Sequence, residues 1–111
     1  MNITTTQEGK VNKVQLAGRL EAATVPVLKA EVQKLSQNNP PYFVFDMAGV
    51  TFVDSSGLGA LVAALRTVNK VDGDIRIASL TPDVRSIFEL TRMHRLFEIY
   101  PSSEVAIASY T

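Results

Sequence analysis

A chain of 111 residues, 46% hydrophobic and free of cysteine, has the size and composition of one compact domain, 1–111, with no disulfide framework and no thiolate nucleophile or metal site. Its 11 Lys and Arg balance 11 Asp and Glu to a formal net charge of zero, which argues against nucleic acid and an anionic membrane surface as partners. The single His94 cannot build a histidine-rich metal site, and no metal or cofactor is expected.

Gly9-Lys10 separates two strand-like stretches, residues 3–8 and 11–17, in which Val14 and Leu16 alternate with polar neighbours and predict an N-terminal hairpin. Gly18-Arg19-Leu20-Glu21-Ala22-Ala23 reads as a loop. Thr24 is the expected N-cap of a first helix, because Pro26 falls where a missing N–H does no harm. Val27, Leu28, Val32 and Leu35 supply its apolar stripe, and Asn38-Asn39-Pro40-Pro41 stops it. Residues 42–47 form an unbroken apolar run of the kind a doubly covered central strand shows.

After Ala48-Gly49, a short segment at 51–53 leads into Asp54-Ser55-Ser56-Gly57-Leu58-Gly59. Leu58, Leu61, Val62, Leu65 and Val68 then recur at the spacing of an amphipathic helix beginning at Leu58. Asp72-Gly73 breaks it, and Ile75, Ile77 and Ala78 predict another buried strand. Thr81-Pro82-Asp83 opens a third helix with Val84, Ile87, Phe88 and Leu90 facing inward; residues 96–100 predict a last strand and 102–110 a last helix. A hairpin followed by alternating helices and strands predicts an α/β fold, a mixed sheet of four to five strands, parallel in its later part, with about four helices. The first residues lack the layout of a signal peptide, and the longest apolar run, 58–65, falls well short of the roughly 20 residues that cross a bilayer, so a soluble cytoplasmic protein is expected.

Functional loops of such sheets lie at the carboxyl ends of the strands, where Asp54–Gly59 falls. A helix start carries unpaired N–H groups and a partial positive charge. A hydroxyl there can cap the helix, act as a nucleophile, or carry a phosphate. Asp54 or Ser55 as a cap is worth about 1 kcal/mol, but neither has Glu or Gln three residues on to form a capping box. Gly57 and Gly59 each cost a helix up to ~1 kcal/mol relative to Ala, so they are expected to bare the backbone and hydroxyl to a partner.

A small serine hydrolase would need Gly-x-Ser-x-Gly, and neither serine matches: Val53 stands two before Ser55, and Asp54 and Leu58 flank Ser56. His94, in Arg92-Met93-His94-Arg95, reads as a solvated turn residue. Gly57-Leu58-Gly59-Ala60-Leu61-Val62 lacks the third glycine of a dinucleotide fingerprint. Arg85, Arg92 and Arg95 could bind an anion only if they share a face.

Three segments together resemble the STAS family, in particular its bacterial anti-sigma factor antagonists of stand-alone type, over nearly the whole chain. Gly18-Arg19-Leu20-Glu21-Ala22-Ala23-Thr24 is similar to the family's Gly-x-Leu-Asp-x-x-Thr loop, with Glu21 where Asp is usual. Phe52-Val53-Asp54-Ser55-Ser56-Gly57-Leu58-Gly59 is similar to its phosphorylation motif. Ala78-Ser79-Leu80, Pro82, Phe88 and Leu96-Phe97 fit the later pattern. The resemblance implies a non-enzymatic protein whose phosphoacceptor is Ser55, with Ser56 at a position often Ala in relatives. It implies partner contact through Gly18, Leu20, Glu21, Thr24, Asp54, Ser56, Gly57, Leu58 and Gly59, although the spacing of Leu58 also suits the core. The implied partners are an anti-sigma factor serine kinase and a PP2C-type phosphatase. A STAS module of a stress-signalling scaffold or a lipid-transport assembly is the alternative within the family.

Overall fold

The computed structural model describes residues 1–37 and 40–111. Alternation in the sequence becomes a hairpin: β1 (Asn2–Glu8) pairs antiparallel with β2 (Val11–Leu20), from Asn2 opposite Ala17 to Glu8 opposite Val11. Gly9, at φ 63°, makes the turn in a backbone region that glycine occupies without strain. β3 (Tyr42–Val53), β4 (Asp74–Ala78) and β5 (Ile99–Tyr100) then add in parallel, giving the order β1-β2-β3-β4-β5. The helices are α1 (Val25–Leu35), α2 (Ser55–Asn69), α3 (Pro82–Leu90) and α4 (Ser103–Ala108). The mixed sheet and the helices match the expected fold class.

Period-two alternation divides the core between the faces of the sheet. Leu28 and Val32 of α1, Leu61 and Val68 of α2, and Val84 and Phe88 of α3 pack with Val14, Leu16, Phe43, Phe45 and Met47. Phe43 and Phe45 meet edge to face with centroids 5.9 Å apart, and burying each such side chain contributes roughly 1.5–3 kcal/mol. On the other face, Ala106 of α4 packs with Val11, Val44 and Ala78, flanked by Tyr42 and Tyr110. β3 is covered on both faces, as its apolar run predicts.

Several boundaries differ from the sequence expectation. β2 does not end at Ala17: Gly18, Arg19 and Leu20 pair with Val50, Phe52 and Val53, so half of the expected loop is strand. Gly18 absorbs the irregular register with φ 109°. β3 does not break at Ala48-Gly49 but runs through it. A Cβ on Gly49 would stand 2.8 Å from that of Ala17, so this glycine permits close strand approach. α2 begins at Ser55, three residues before the expected start.

Val27 and Leu90, expected inward, are 49% and 85% exposed, because a helix lying on a sheet buries a narrower stripe than its apolar residues span. The strand expected at 96–100 is confined to Ile99–Tyr100. Arg92, in the left-handed region at φ 62°, instead starts a 3-10 turn, Met93–Arg95, that turns Met93 into the core and leaves Leu96 exposed. α4 is shorter than expected, with Ser102 as its cap. Of the expected stop after α1, Asn38 and Asn39 lie outside the described residues; the helix closes at Ser36, whose N–H and hydroxyl both donate to the Val32 carbonyl.

Candidate functional site

β2 and β3 end side by side, and their two exits build one surface. The Asp54 N–H donates to the Leu20 carbonyl at 3.2 Å, tying the start of α2 to the end of β2. Asp54 is extended, and its Oδ1 accepts from the Gly57 N–H at 2.8 Å. The Leu58 N–H donates to the Asp54 carbonyl at 3.0 Å as the first helical bond. The cap is therefore Asp54, formed without a capping box. Ser55 and Ser56 follow as the first two helical residues, both exposed, and neither side chain has a hydrogen-bond partner among the described residues.

The two glycines do different things. Gly57 is buried, and a Cβ there would collide with the Leu20 carbonyl oxygen and lie 2.9 Å from Leu20 Cγ. It is a packing requirement and does not bare the hydroxyl, contrary to expectation. Gly59 is exposed, and beyond its own turn of helix nothing lies within 4 Å of where its Cβ would be. Leu58 is half-buried and packs against the core, leaving part of its side chain at the surface. Leu20 is fully buried and offers a partner no side chain; it sets the height of the α2 first turn.

Thr24 stands at the N-cap of α1 but its side chain does not cap that helix. Its hydroxyl turns back, donating to the Arg19 carbonyl at 2.7 Å and accepting from the Glu21 N–H at 3.0 Å. That closes the β2 exit into a compact turn. Glu21 is already paired: Arg19 Nε donates to its Oε2 at 2.6 Å, and the Arg19 guanidinium lies 4.2 Å from the centre of the Phe52 ring. Arg19 and Phe52 are therefore part of this surface, although neither was among the expected contact residues and Phe52 entered only as the aromatic that opens the motif. Their signal was the parallel pairing of Arg19 with Phe52, which no local pattern reveals.

A third turn lies at the same end of the sheet, where β4 exits. Ser79 adopts φ 64°, an uncommon conformation for a residue with a Cβ, and its N–H donates to the Tyr100 carbonyl at 3.1 Å. Thr81 then caps α3 by accepting from the Val84 N–H.

Other candidate groups stand elsewhere. His94 is exposed in the 3-10 turn and lines an open groove with Arg85, Glu89 and Arg95; Ser55 and Ser56 do not line it. Arg85 and Arg95 thus share a groove that Arg92 does not enter. Two groups on the α4 side have shifted ionisation. Burial, followed by the charge of Asp74, pushes the Tyr110 phenol well above its usual range. Burial works against the Arg76 guanidinium charge, but its hydrogen bond to Asp74 and neighbouring groups outweigh this and hold its pKa up. Among the described residues no cluster of His, Cys, Asp and Glu could hold a metal ion, and no helix is long and apolar enough to cross a membrane.

A hairpin leading into parallel strands, with a capped but uncluttered helix start at the carboxyl end of the central strand, defines a small α/β domain with its candidate site on the strand exits. The chain belongs to the STAS domain family, whose profile matches residues 2–106. It is 29% identical over 105 residues to the anti-sigma-B factor antagonist of Staphylococcus aureus, covering 95% of this chain and 97% of that protein. The crystal structure of an anti-sigma factor antagonist from Mycobacterium paratuberculosis superposes with a TM-score of 0.86 at 24% identity, over 97% of this chain and 92% of that one. The Bacillus cell fate determinant SpoIIAA in its phosphorylated form superposes with a TM-score of 0.74 at 18% identity, over 99% and 100% of the two chains.

Proposed function

We propose that the protein is a phosphorylation-controlled binding switch acting as an anti-sigma factor antagonist in the bacterial cytoplasm. Its unphosphorylated form binds an anti-sigma factor that is also a serine kinase, which then releases its sigma factor. Phosphorylation of Ser55 ends the binding, and a PP2C-type phosphatase restores it. The protein works by binding and not by catalysis. Exposed Ser55, Ser56 and Gly59 form the contact face with half-buried Glu21, Asp54 and Leu58, while Gly18, Leu20, Thr24 and Gly57 shape it from beneath.

The observation that carries this reading is the division of labour between Asp54 and Ser55. Capping is already done by the Asp54 carboxylate, so the exposed Ser55 hydroxyl has no structural task in the fold. A kinase can take it without dismantling the helix. The relative from Staphylococcus aureus bears the name of an anti-sigma-B factor antagonist, and SpoIIAA, a protein of this fold, exists in a phosphorylated form.

Phosphorylation adds about −1.5 to −2 charges. At the first turn of α2 these meet free N–H groups and the positive end of the helix dipole, so the fold tolerates them. The consequence falls on the interface. The phosphate joins the adjacent Asp54 carboxylate in facing a kinase site that itself holds nucleotide phosphates. Two unit charges at ~4 Å repel by about 4 kcal/mol at an effective dielectric near 20, and each ~1.4 kcal/mol is tenfold in affinity.

The test is incubation with the cognate kinase and ATP, followed by peptide mass spectrometry. Phosphate on Ser55, abolished in Ser55→Ala, is the expected result; phosphate on Ser56 or continued modification of Ser55→Ala overturns the assignment. A pull-down from native lysate with wild type and Ser55→Asp completes it. The wild type is expected to retain the kinase and Ser55→Asp to lose it.

A further inference from the structure

The two edges of the sheet are built differently. β5 is two residues long and runs directly into Pro101, which has no N–H to offer a neighbouring strand. β1 is seven residues long and pairs with β2 in an uninterrupted ladder, leaving its outer row of backbone N–H and C=O groups unpaired by any strand among the described residues. Natural sheets blunt such edges with lysine, proline, bulges or very short strands. β1 carries none of these. Its sequence, Asn2-Ile3-Thr4-Thr5-Thr6-Gln7-Glu8, is rich in β-branched residues that favour an extended chain, with one charge at its end.

We propose that β1 is a self-pairing edge: two copies of this chain join antiparallel through Asn2–Glu8, about a twofold axis at Thr5, into one continuous sheet. The occupant is a second copy because this register is self-complementary. Thr5 falls opposite Thr5 of the second copy, Thr4 opposite Thr6, Ile3 opposite Gln7, and Asn2 opposite Glu8. No like charges meet, and the threonine pairs are of the kind that stabilise neighbouring strands.

The helix beside the edge supports the same occupant. The Thr5 hydroxyl donates to Glu31 of α1 at 2.7 Å, which places that face of α1 against β1. Val27 lies one turn earlier on the same face and is 49% exposed, an apolar residue left uncovered beside an open edge. α1 connects two parallel strands and so runs back along the direction of β1. The twofold therefore sets the two α1 helices antiparallel, flanking the joined strands, with Val27 shielded between them. The Ser55 surface, at the carboxyl ends of β2 and β3, stays open on each copy.

The absence of cysteine makes the register directly testable. Sedimentation velocity over about a hundredfold range of concentration is expected to show mass rising from one chain to two. Thr4→Glu with Thr6→Glu places like charges opposite one another and is expected to raise the dissociation constant at least about tenfold, with a near-wild-type melting temperature. On mild oxidation, Thr5→Cys is expected to form disulfide-linked dimers, because only residues whose Cα atoms lie within about 7 Å can be bridged. Thr4→Cys and Thr6→Cys are expected to cross-link when mixed and not singly. A single-chain mass throughout, a dimer indifferent to the glutamates, or self-linking of Thr4→Cys in place of Thr5→Cys overturns the proposal. Partner binding through Ser55 is a separate measurement, so either result can fail alone.

Discussion

The first turn of α2 rests on the backbone of Leu20: the Leu20 carbonyl accepts the Asp54 N–H at 3.2 Å and occupies the space where a side chain of Gly57 would begin. The strand exit and the helix start are thereby held as one rigid corner. The Ser55 hydroxyl stands on top of that corner, and its position depends on how closely the two backbones approach.

Gly57→Ala is expected to destabilise the protein by about 1–3 kcal/mol, because the contact it creates is with backbone, which cannot rotate aside. Gly59→Ala is expected to stabilise it by up to ~1 kcal/mol, since its Cβ enters open space in a helix. Urea denaturation of the two variants separates them. Gly59→Ala is also expected to weaken kinase binding if the bare surface is what the partner touches, which a binding titration measures independently.

Asp54→Ala removes the side chain that caps α2 and is expected to cost about 0.5–2 kcal/mol. Ser55→Ala is expected to stay within about 0.5 kcal/mol of wild type, because nothing in the fold depends on its hydroxyl. Thermal melts of the pair check this. A loss for Ser55→Ala as large as that for Asp54→Ala would return the serine to a structural role.

Arg19→Ala releases Glu21 from its 2.6 Å ion pair and uncovers the Phe52 ring. Arg19 is 59% exposed and Glu21 31%, so the pair is screened by solvent and the expected change in stability is below about 1 kcal/mol. Its effect is expected in recognition, where a freed carboxylate alters affinity for the kinase. Isothermal titration of Arg19→Ala and Glu21→Asp against the kinase measures it.

Above pH ~10 the protein is expected to lose stability through Tyr110. Burial, followed by the Asp74 charge, raises its phenol pKa in the folded state, so the native form holds a proton that the unfolded chain releases. The stabilisation is fully present below the unfolded pKa and is lost as pH rises through the folded one. Tyr110→Phe is expected to flatten that slope. It also removes the 2.8 Å bond to the Phe43 carbonyl, costing about 1 kcal/mol at neutral pH. Urea midpoints across the alkaline range, with ultraviolet titration of the 3 tyrosines, read both effects.

Much of the fold was legible because its signals are local. The alternation of Val14 and Leu16, the apolar run of β3, and the spacing of Leu61 and Val68 are periodic, and burial against a sheet enforces those periods. Element ends were less legible. Gly18–Leu20 looked like a loop and Ala48-Gly49 like a break, because the first becomes strand only by pairing with Val50, Phe52 and Val53, and Gly49 only by pairing with Ala17. Leu90 and Val27 carried the right periodicity and still face solvent, since the width of the buried stripe depends on the neighbour that covers it.

The order of elements, the hairpin, the α/β class and the location of the serine turn at a strand exit were all readable from residue chemistry along the chain. The roles within that turn were not. Which of Asp54 and Ser55 caps the helix, why Gly57 cannot be Ala while Gly59 can, and how Arg19 lies over Phe52 while pairing with Glu21 all rest on contacts between β2 and the segment from β3 into α2. Those residues lie some 30 positions apart in sequence and meet through a parallel crossover, whose register no local pattern carries.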